Sequence, residues 1–155
     1  MSTDVQVDVR VDRPRADVAR YATDWRNDPE WIGALSEVTL VTEPPFGVGS
    51  QVARVATFLG KRMEYINEVV VFEPDRRLVM RSVKAPFPMV VTYEFEDVEN
   101  ATLMRIRAQG EATGFYRLGA PLLSRAVTRS ITQDLARLKA TLEARRDQPP
   151  QAQGS

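Results

Sequence analysis

The sequence contains neither cysteine nor histidine. Without cysteine the chain can form no disulfide, thiolate nucleophile or thiolate metal site, and without histidine it lacks the most common general base and metal ligand. It also contains no phosphate-binding loop and no dinucleotide-binding fingerprint. We therefore predict that the protein uses no metal ion or other cofactor, which excludes a large part of enzyme chemistry.

An excess of charge of one sign is also missing. Lys+Arg and Asp+Glu balance at 21 residues each, so no overall field directs the chain to nucleic acid or to anionic lipid. Arginines are scattered along the C-terminal part of the sequence, but aromatic residues are not interleaved with them as in single-strand-binding surfaces. Nucleic acid is therefore not an expected partner, and the arginines are interpreted as a solvated helix face.

Long apolar runs and targeting signals are equally absent. No stretch approaches the ~20 apolar residues of a transmembrane helix, and "MSTDVQVDVRVD" has neither a basic start nor an apolar segment. We expect a cytoplasmic protein without stable membrane insertion. With 43% hydrophobic residues among 155, residues 1–146 are predicted to form one domain, and the polar residues 147–155 a disordered tail.

The N-terminal part predicts one strand and two short helices. "DVQVDVRV" alternates valine with polar residues, as in a half-buried strand whose side chains point to opposite faces in turn. Asp12 and Pro14 then begin a short helix. In "TDWRNDPEWIGAL", Thr23 or Asp24 can cap a second short helix that ends at Gly33.

Six further strands and a long helix are predicted after residue 35. The strand-like segments are "SEVTLVT", "SQVARVATF", "RMEYINEVVVFE", "RLVMRSV", "MVVTYEFED" and "TLMRIRAQG". The short breaks between them are typical of an antiparallel meander. From about Leu118 to Arg145, apolar residues recur at the spacing of an amphipathic helix. The predicted fold class is α+β, with a curved seven-stranded antiparallel sheet wrapped around a long C-terminal helix and a cavity between them.

This element order, together with four local stretches, resembles the START-like (SRPBCC) superfamily, in the branch that contains polyketide cyclases/dehydrases. The stretches are "VRVDRPRADVARYATDWRNDPEW", "PPFGVGSQV", "VVVFEPDRRLVMRS" and "LLSRAVTRSITQDLARLKATLEAR". The resemblance covers residues 4–145 and implies a helix-grip fold with an internal ligand site. It does not identify the activity, because the superfamily contains ligand carriers, aromatase/cyclases, chaperone co-factors and ring-hydroxylase components.

Polar side chains occupy the middle of the fourth predicted strand, "MEYINEVVVFEP". Its inner face carries Tyr65 and Asn67, where a buried polar group without a partner would cost about 1–3 kcal/mol. Counting from turn centres places Asn67 opposite Ser82 and Tyr65 opposite Lys84. Asn67 and Ser82 either hydrogen-bond each other or a buried water, or they orient a ligand in a pocket.

The same counting gives the rest of the inner wall. The further predicted neighbours are Val69 with Met80, Val91 with Ser82, and Tyr93 with Met80. The predicted apolar wall consists of Met63, Met80, Val91, Tyr93, Phe95, Met104 and Ile106. Because most of this wall is apolar, the expected partner is a hydrophobic or aromatic small molecule.

Aromatic residues also gather in loops at one end of the predicted meander, where polar residues would be usual. They either seal the sheet against the second short helix or form an apolar mouth that a ligand, a membrane surface or a protein partner contacts. The candidate substrate-binding residues are Trp31, Phe58, Met63, Met80, Ser82, Phe87, Val91, Met104, Ile106, Phe115 and Tyr116.

Three functions remain open at this point. The first is a cofactor-free cyclase or dehydratase that folds its substrate and assists by hydrogen bonding, with Tyr65, Tyr93 and Asn67 as candidate catalytic residues. The second is a non-catalytic carrier or chaperone for a lipid, quinone or aromatic metabolite. The third is a protein–protein module with a collapsed interior. A monomer and a homodimer are both compatible with the sequence.

Charged residues have supporting roles in the first hypothesis. Lys84 or Arg54 could stabilise negative charge near the mouth, and Glu111 could transfer a proton. In "DWRNDPEW" the aspartates, including Asp28, are interpreted as helix caps, and a tryptophan as an anchor to the core. No acidic cluster has a spacing that points to a metal site.

Overall fold

The computed structural model describes residues 2–145, and the predicted tail at residues 147–155 lies outside them. Seven antiparallel strands form one sheet in the order β1-β7-β6-β5-β4-β3-β2. The strands are β1 (Thr3–Val11), β2 (Leu35–Leu40), β3 (Gln51–Phe58), β4 (Lys61–Glu73), β5 (Arg77–Lys84), β6 (Met89–Val98) and β7 (Ala101–Gly110). The helices are α1 (Arg15–Thr23), α2 (Asp28–Trp31), α3 (Thr113–Tyr116) and α4 (Ala120–Ala144), with a 3-10 turn at Trp25–Asn27.

The predicted fold class is confirmed. The sheet curls around α4, whose buried side carries leucines three, four or more residues apart, including Leu135, Leu138 and Leu142. This side packs against the first strand and against the core between sheet and helix. The two short helices follow the first strand as predicted. Within residues 2–145, no helix combines the length and the apolar character that crossing a membrane requires.

The register between β4 and β5 differs from the prediction at one end. The confirmed pairs are Asn67 with Ser82 and Val69 with Met80. The prediction that Tyr65 lies opposite Lys84 is wrong, because the partner of Lys84 is Ile66. A bulge between Ile66 and Asn67 inserts an extra residue on one strand, which shifts the pairing beyond it by one position.

The register between β5 and β6 is offset by two residues from the prediction. The structure pairs Val91 with Met80 and Tyr93 with Leu78, instead of Val91 with Ser82 and Tyr93 with Met80. The turn before β6 is wide, because the Ser82 hydroxyl accepts a hydrogen bond from the backbone of Met89 and the ladder stops before it. An offset of two leaves every side chain on its predicted face, since side chains alternate with period two.

The predicted C-terminal helix corresponds to α4, and a short helix that was not predicted, α3, precedes it. Arg117 lies between them with φ of 56°, a left-handed conformation that ends the first helical turn. Gly119 then precedes the new helix in an extended conformation, and Pro121 occupies its first turn, where a missing N–H costs nothing. As a result α3 brings Phe115 and Tyr116 over the end of the sheet.

Candidate functional site

A pocket of about 230 Å³ lies between the concave face of the sheet and α4. Its wall is mostly apolar, and the residues of the wall come from all seven strands and from α2, α3 and α4. The predicted site residues that line it are Trp31, Phe58, Met63, Tyr65, Asn67, Met80, Phe87, Val91, Tyr93, Ile106 and Tyr116. The structure thus brings these side chains together, while their roles in binding or catalysis stay predictions.

Three predicted site residues do not line the pocket. Met104 is fully buried in the core behind it. Phe115 packs in the aromatic group at the mouth. The Ser82 hydroxyl accepts a hydrogen bond from the Met89 backbone N–H at 3.0 Å, and it does not donate to Asn67 Oδ1, which has no hydrogen-bond partner.

The most unusual feature of the pocket wall is a buried ion pair. Arg54 Nη1 donates to Asp28 Oδ2 at 2.6 Å, and both side chains are almost completely buried. Two sequence interpretations are therefore corrected: Arg54 lies inside the wall and not near the mouth, and Asp28 pairs with it instead of acting as a helix cap. Asp24 does cap a helix, since its side chain accepts from the Arg26 backbone N–H.

The ion pair is positioned by two elements. Arg54 lies on β3 directly opposite Tyr65, with its side chain on the inner face. Asp28 is the first residue of α2, which is tied to α4 on its other side. There the Asp134 carboxylate accepts from Gly33 N at 3.0 Å, and Arg137 Nε donates to the Trp31 carbonyl oxygen at 3.1 Å. Helix α2 is thereby fixed between sheet and helix.

Burial controls the electrostatics of this pair. It raises the pKa of Asp28 to about 6, although the attraction of Arg54 acts in the opposite direction. Burial also opposes the charge on Arg54, but Asp28, Tyr93 and Tyr65 together outweigh it and the pKa of Arg54 rises. Arg54 therefore stays positively charged at any ordinary pH.

Some buried polar atoms of the pocket residues have no hydrogen-bond partner. Among the described residues five buried side-chain polar atoms lack a partner, and three of them, Arg54 Nε, Asn67 Oδ1 and Trp31 Nε1, belong to residues of the pocket wall. All three belong to residues that line the pocket and are at most 6% exposed. Such atoms are rare in folded proteins, and each carries a desolvation cost of about 1–3 kcal/mol unless something binds it.

Two tyrosines complete the polar part of the wall. The Tyr93 ring packs at a tilt against Trp31 with ring centroids 5.8 Å apart, and Tyr65 lies beside Arg54. Burial raises the pKa of both tyrosines above its ordinary value. Their hydroxyls are therefore protonated at neutral pH and can donate hydrogen bonds, but they are poor bases.

Of the carboxyl groups, Asp134 on α4 lines the pocket and Glu111 does not. Burial raises the pKa of Asp134, against the hydrogen bond from Gly33 and the charge of Arg137. Glu111 and Lys84 are exposed and take no part in the wall. Among residues 2–145, no group of three or more acidic side chains lies close enough together to hold a metal ion.

The aromatic group at the mouth forms as predicted. The Phe58 ring packs edge-on against Tyr116 with centroids 5.7 Å apart. The Phe87 ring packs at a tilt against Phe115 with centroids 5.4 Å apart, and Lys61 Nζ lies 4.7 Å from the centre of the Phe115 ring. This group packs on apolar residues of α4. Trp31 belongs to the main core instead, so α3 and α4, and not the second short helix, close this end of the sheet.

The sequence matches a known protein family over most of its length. The family described as "Polyketide cyclase / dehydrase and lipid transport" matches residues 2–143. The chain belongs to this family. No curated protein matches the sequence significantly. Membership gives the chain a fold shared by cyclases and lipid-transport proteins, and hydrophobic ligand binding is what the family implies.

Solved structures with the same fold include an aromatase/cyclase and a START superfamily protein. The aromatase/cyclase ZhuI from Streptomyces sp. R1128 is similar with a TM-score of 0.76 and 18% identity over 94% of this chain and 96% of that one. The START superfamily protein, from Mycobacterium smegmatis, has a TM-score of 0.78 and 13% identity, over 91% of this chain and 97% of that one. TTHA0849 from Thermus thermophilus is similar with a TM-score of 0.77 and 17% identity, over 93% of this chain and 99% of that one. At these identities the likeness shows the fold alone.

Proposed function

We propose that the protein binds a mainly apolar, oxygen-bearing small molecule in the pocket between sheet and α4, and acts on it without a cofactor as a cyclase or dehydratase. One observation carries the proposal: the buried, unpartnered atoms Arg54 Nε, Asn67 Oδ1 and Trp31 Nε1 belong to residues of a mostly apolar wall. Ligand sites combine apolar surface with a few polar groups in this way, because the polar groups orient what the apolar surface binds.

The chemistry that the site supports is hydrogen-bond assistance to developing negative charge. In ring closure or dehydration of an oxygenated substrate, a carbon next to a carbonyl group would lose its proton to a water molecule, and negative charge would develop on the carbonyl oxygen of the resulting enolate. Arg54, Tyr65 and Tyr93 can donate to such an oxygen in a site of low polarity, where each donor is effective. The pocket wall would also hold a flexible substrate in a reactive conformation.

Binding is tested with two neutral apolar probes, propylbenzene and the larger N-phenyl-naphthylamine, by amide NMR and fluorescence titration. We expect saturable binding that perturbs the inner strands. Val91→Phe, which fills the pocket, should abolish it. Val83→Phe is the matched control, since Val83 is 44% exposed and lies outside the wall. If neither probe binds saturably, the proposal fails.

Catalysis is tested with a short poly-β-keto thioester, whose cyclised and dehydrated products are followed by mass spectrometry. Tyr65→Phe and Tyr93→Phe should bind propylbenzene normally but lower turnover by about 10²-fold or more. If both variants turn the substrate over at the normal rate, the catalytic assignment of the tyrosines is wrong.

A carrier is the second candidate function. It is favoured by the absence of a free base among the described wall residues: Asp134 is already hydrogen-bonded to Gly33 and Arg137, and the tyrosines are held in their protonated form. A carrier would bind the probes and release them unchanged. Saturable binding of the thioester without any product would support this function over the cyclase.

A further inference from the structure

The volume of the pocket limits the part of a ligand that it can enclose. An engineered apolar cavity of about 150 Å³ in another protein holds one benzene molecule. At about 230 Å³, this pocket has room for a single ring with a short substituent, about nine or ten non-hydrogen atoms in all. Pockets for drug-sized ligands are larger, at about 300–1,000 Å³. The pocket as it stands therefore fits a monocyclic molecule better than a polycyclic one.

The unpartnered atoms specify the polar group of that molecule. Arg54 Nε is a donor and Asn67 Oδ1 is an acceptor. Val52 lies opposite Asn67, so Arg54 is the diagonal neighbour of Asn67 on the same face of adjacent strands. Such diagonal neighbours are about 7–8 Å apart at their backbones, which long side chains can span. A ligand hydroxyl group that lies between the two would accept from Arg54 and donate to Asn67 at once.

The charges around the pocket already balance. Arg54 is paired with Asp28, and Asp134 with Arg137. An anionic ligand would add a buried charge next to the Asp28 carboxylate without an unpaired cation to receive it, and burying such a charge is costly. A neutral ligand carries no such cost, and it leaves both ion pairs intact.

We propose that the pocket selects a neutral, monocyclic phenol or cyclic alcohol whose single hydroxyl group accepts a hydrogen bond from Arg54 Nε and donates one to Asn67 Oδ1, with the ring against the methionines and Val91 of the wall. This inference rests on the proposed function, since it requires that the pocket binds a ligand. It adds the size, charge and hydrogen-bonding class of that ligand.

The test compares three probes of matched size by calorimetric titration at neutral pH: para-propylphenol, propylbenzene and para-propylbenzoate. The phenol should bind about tenfold more tightly than propylbenzene, which is the effect of about one well-made buried hydrogen bond. The benzoate, which is anionic at this pH, should bind more weakly than the phenol.

Variants assign the preference to the two residues. Asn67→Leu removes the acceptor, so the affinity ratio of phenol to propylbenzene should fall to about one. Arg54→Lys keeps a positive charge beside Asp28 but removes the Nε–H, and it should lower phenol affinity several-fold with little change for propylbenzene. Thr92→Val is the control, because Thr92 lies between Val91 and Tyr93 on the opposite face of β6.

Four results would overturn the inference. If the phenol and propylbenzene bind equally tightly, the hydroxyl group has no role in binding. If the benzoate binds most tightly, the pocket does not prefer a neutral ligand. A phenol preference that persists in Asn67→Leu would place the hydroxyl elsewhere. If N-phenyl-naphthylamine binds and no monocyclic probe does, the size class is wrong while the proposed function stands. Only the failure of all the probes would reject both.

Discussion

Arg54 and Asp28 form an ion pair with an N–O distance of 2.6 Å in the interior, where side chains from β3 and α2 meet. Both are almost completely removed from solvent, and Arg54 also lines the pocket. The pair therefore links the placement of α2 to the polar end of the pocket, so a change in either residue is expected to affect both stability and binding.

Removal of the Asp28 acceptor should destabilise the fold strongly. Asp28→Leu leaves the Arg54 charge buried without a partner, and we expect the free energy of unfolding in urea to fall by about 3–5 kcal/mol. The double variant Asp28→Leu/Arg54→Met should recover most of the loss, because an apolar pair avoids burying charge. Glu64→Leu, at an exposed ion pair with Arg62, should change little. A loss in the double variant as large as in the single one would contradict this interpretation.

The pH dependence of stability should reveal the raised pKa of the Asp28 carboxyl group. Burial raises its pKa from 3.8 to about 6, so between these values the folded protein holds a proton that the unfolded chain has released. The stabilisation from this group is present below about pH 4 and is lost as the pH rises through about 6. The free energy of unfolding of the protein minus that of Asp28→Asn should therefore decrease over this interval. A difference that increases with pH would show that the pKa is lowered.

The tyrosines should resist ionisation in the folded state. Burial raises the pKa of all four, Tyr21, Tyr65, Tyr93 and Tyr116. In an ultraviolet titration the folded protein should show little tyrosinate at about pH 10, whereas the urea-denatured chain should titrate near that value. Because the folded state keeps these protons longer, stability should decrease as the pH rises beyond about 10. Tyrosinate absorbance at about pH 10 without unfolding would contradict the burial of these hydroxyls.

Two adjacent leucines of α4 test the packing at the mouth. Leu123 is 1% exposed and packs with Tyr116, while Leu122 is 56% exposed. Leu123→Ala should lower the free energy of unfolding by about 2–5 kcal/mol, because it leaves a cavity under the aromatic residues. Leu122→Ala should change it by no more than about 0.5 kcal/mol. Equal effects of the two substitutions would show that α4 is rotated relative to its described position.

Most strands and helices could be predicted because the sequence of each one shows the pattern of its own secondary structure. The alternating valines of β1 and the apolar spacing of α4 predict these elements because each must bury one face. The bulge at Ile66 and the left-handed Arg117 could not be predicted in the same way. Both depend on how neighbouring elements meet, and neither residue type signals an irregular backbone.

The residues of the pocket wall were predicted from the alternation of side chains between the two faces of each strand. This alternation gives the correct face even when the predicted pairing is wrong by an even number of residues. Met80, Val91 and Tyr93 line the pocket although two of their pairings were offset, because the offset was an even number of residues. The Arg54–Asp28 pair was missed because β3 has no fully apolar face and an aspartate near a short helix resembles a cap. An arginine on the same face as Val52 was the available signal, since a buried charge requires a partner.

The most direct test of an internal ligand site is the position of para-propylphenol in its complex with the protein, measured by intermolecular nuclear Overhauser effects. We expect contacts from the ring to the side chains of Met80 and Val91, with the hydroxyl end near the Asn67 side chain. Contacts confined to exposed residues at the mouth, such as Leu59 and Leu122, would contradict an internal ligand site.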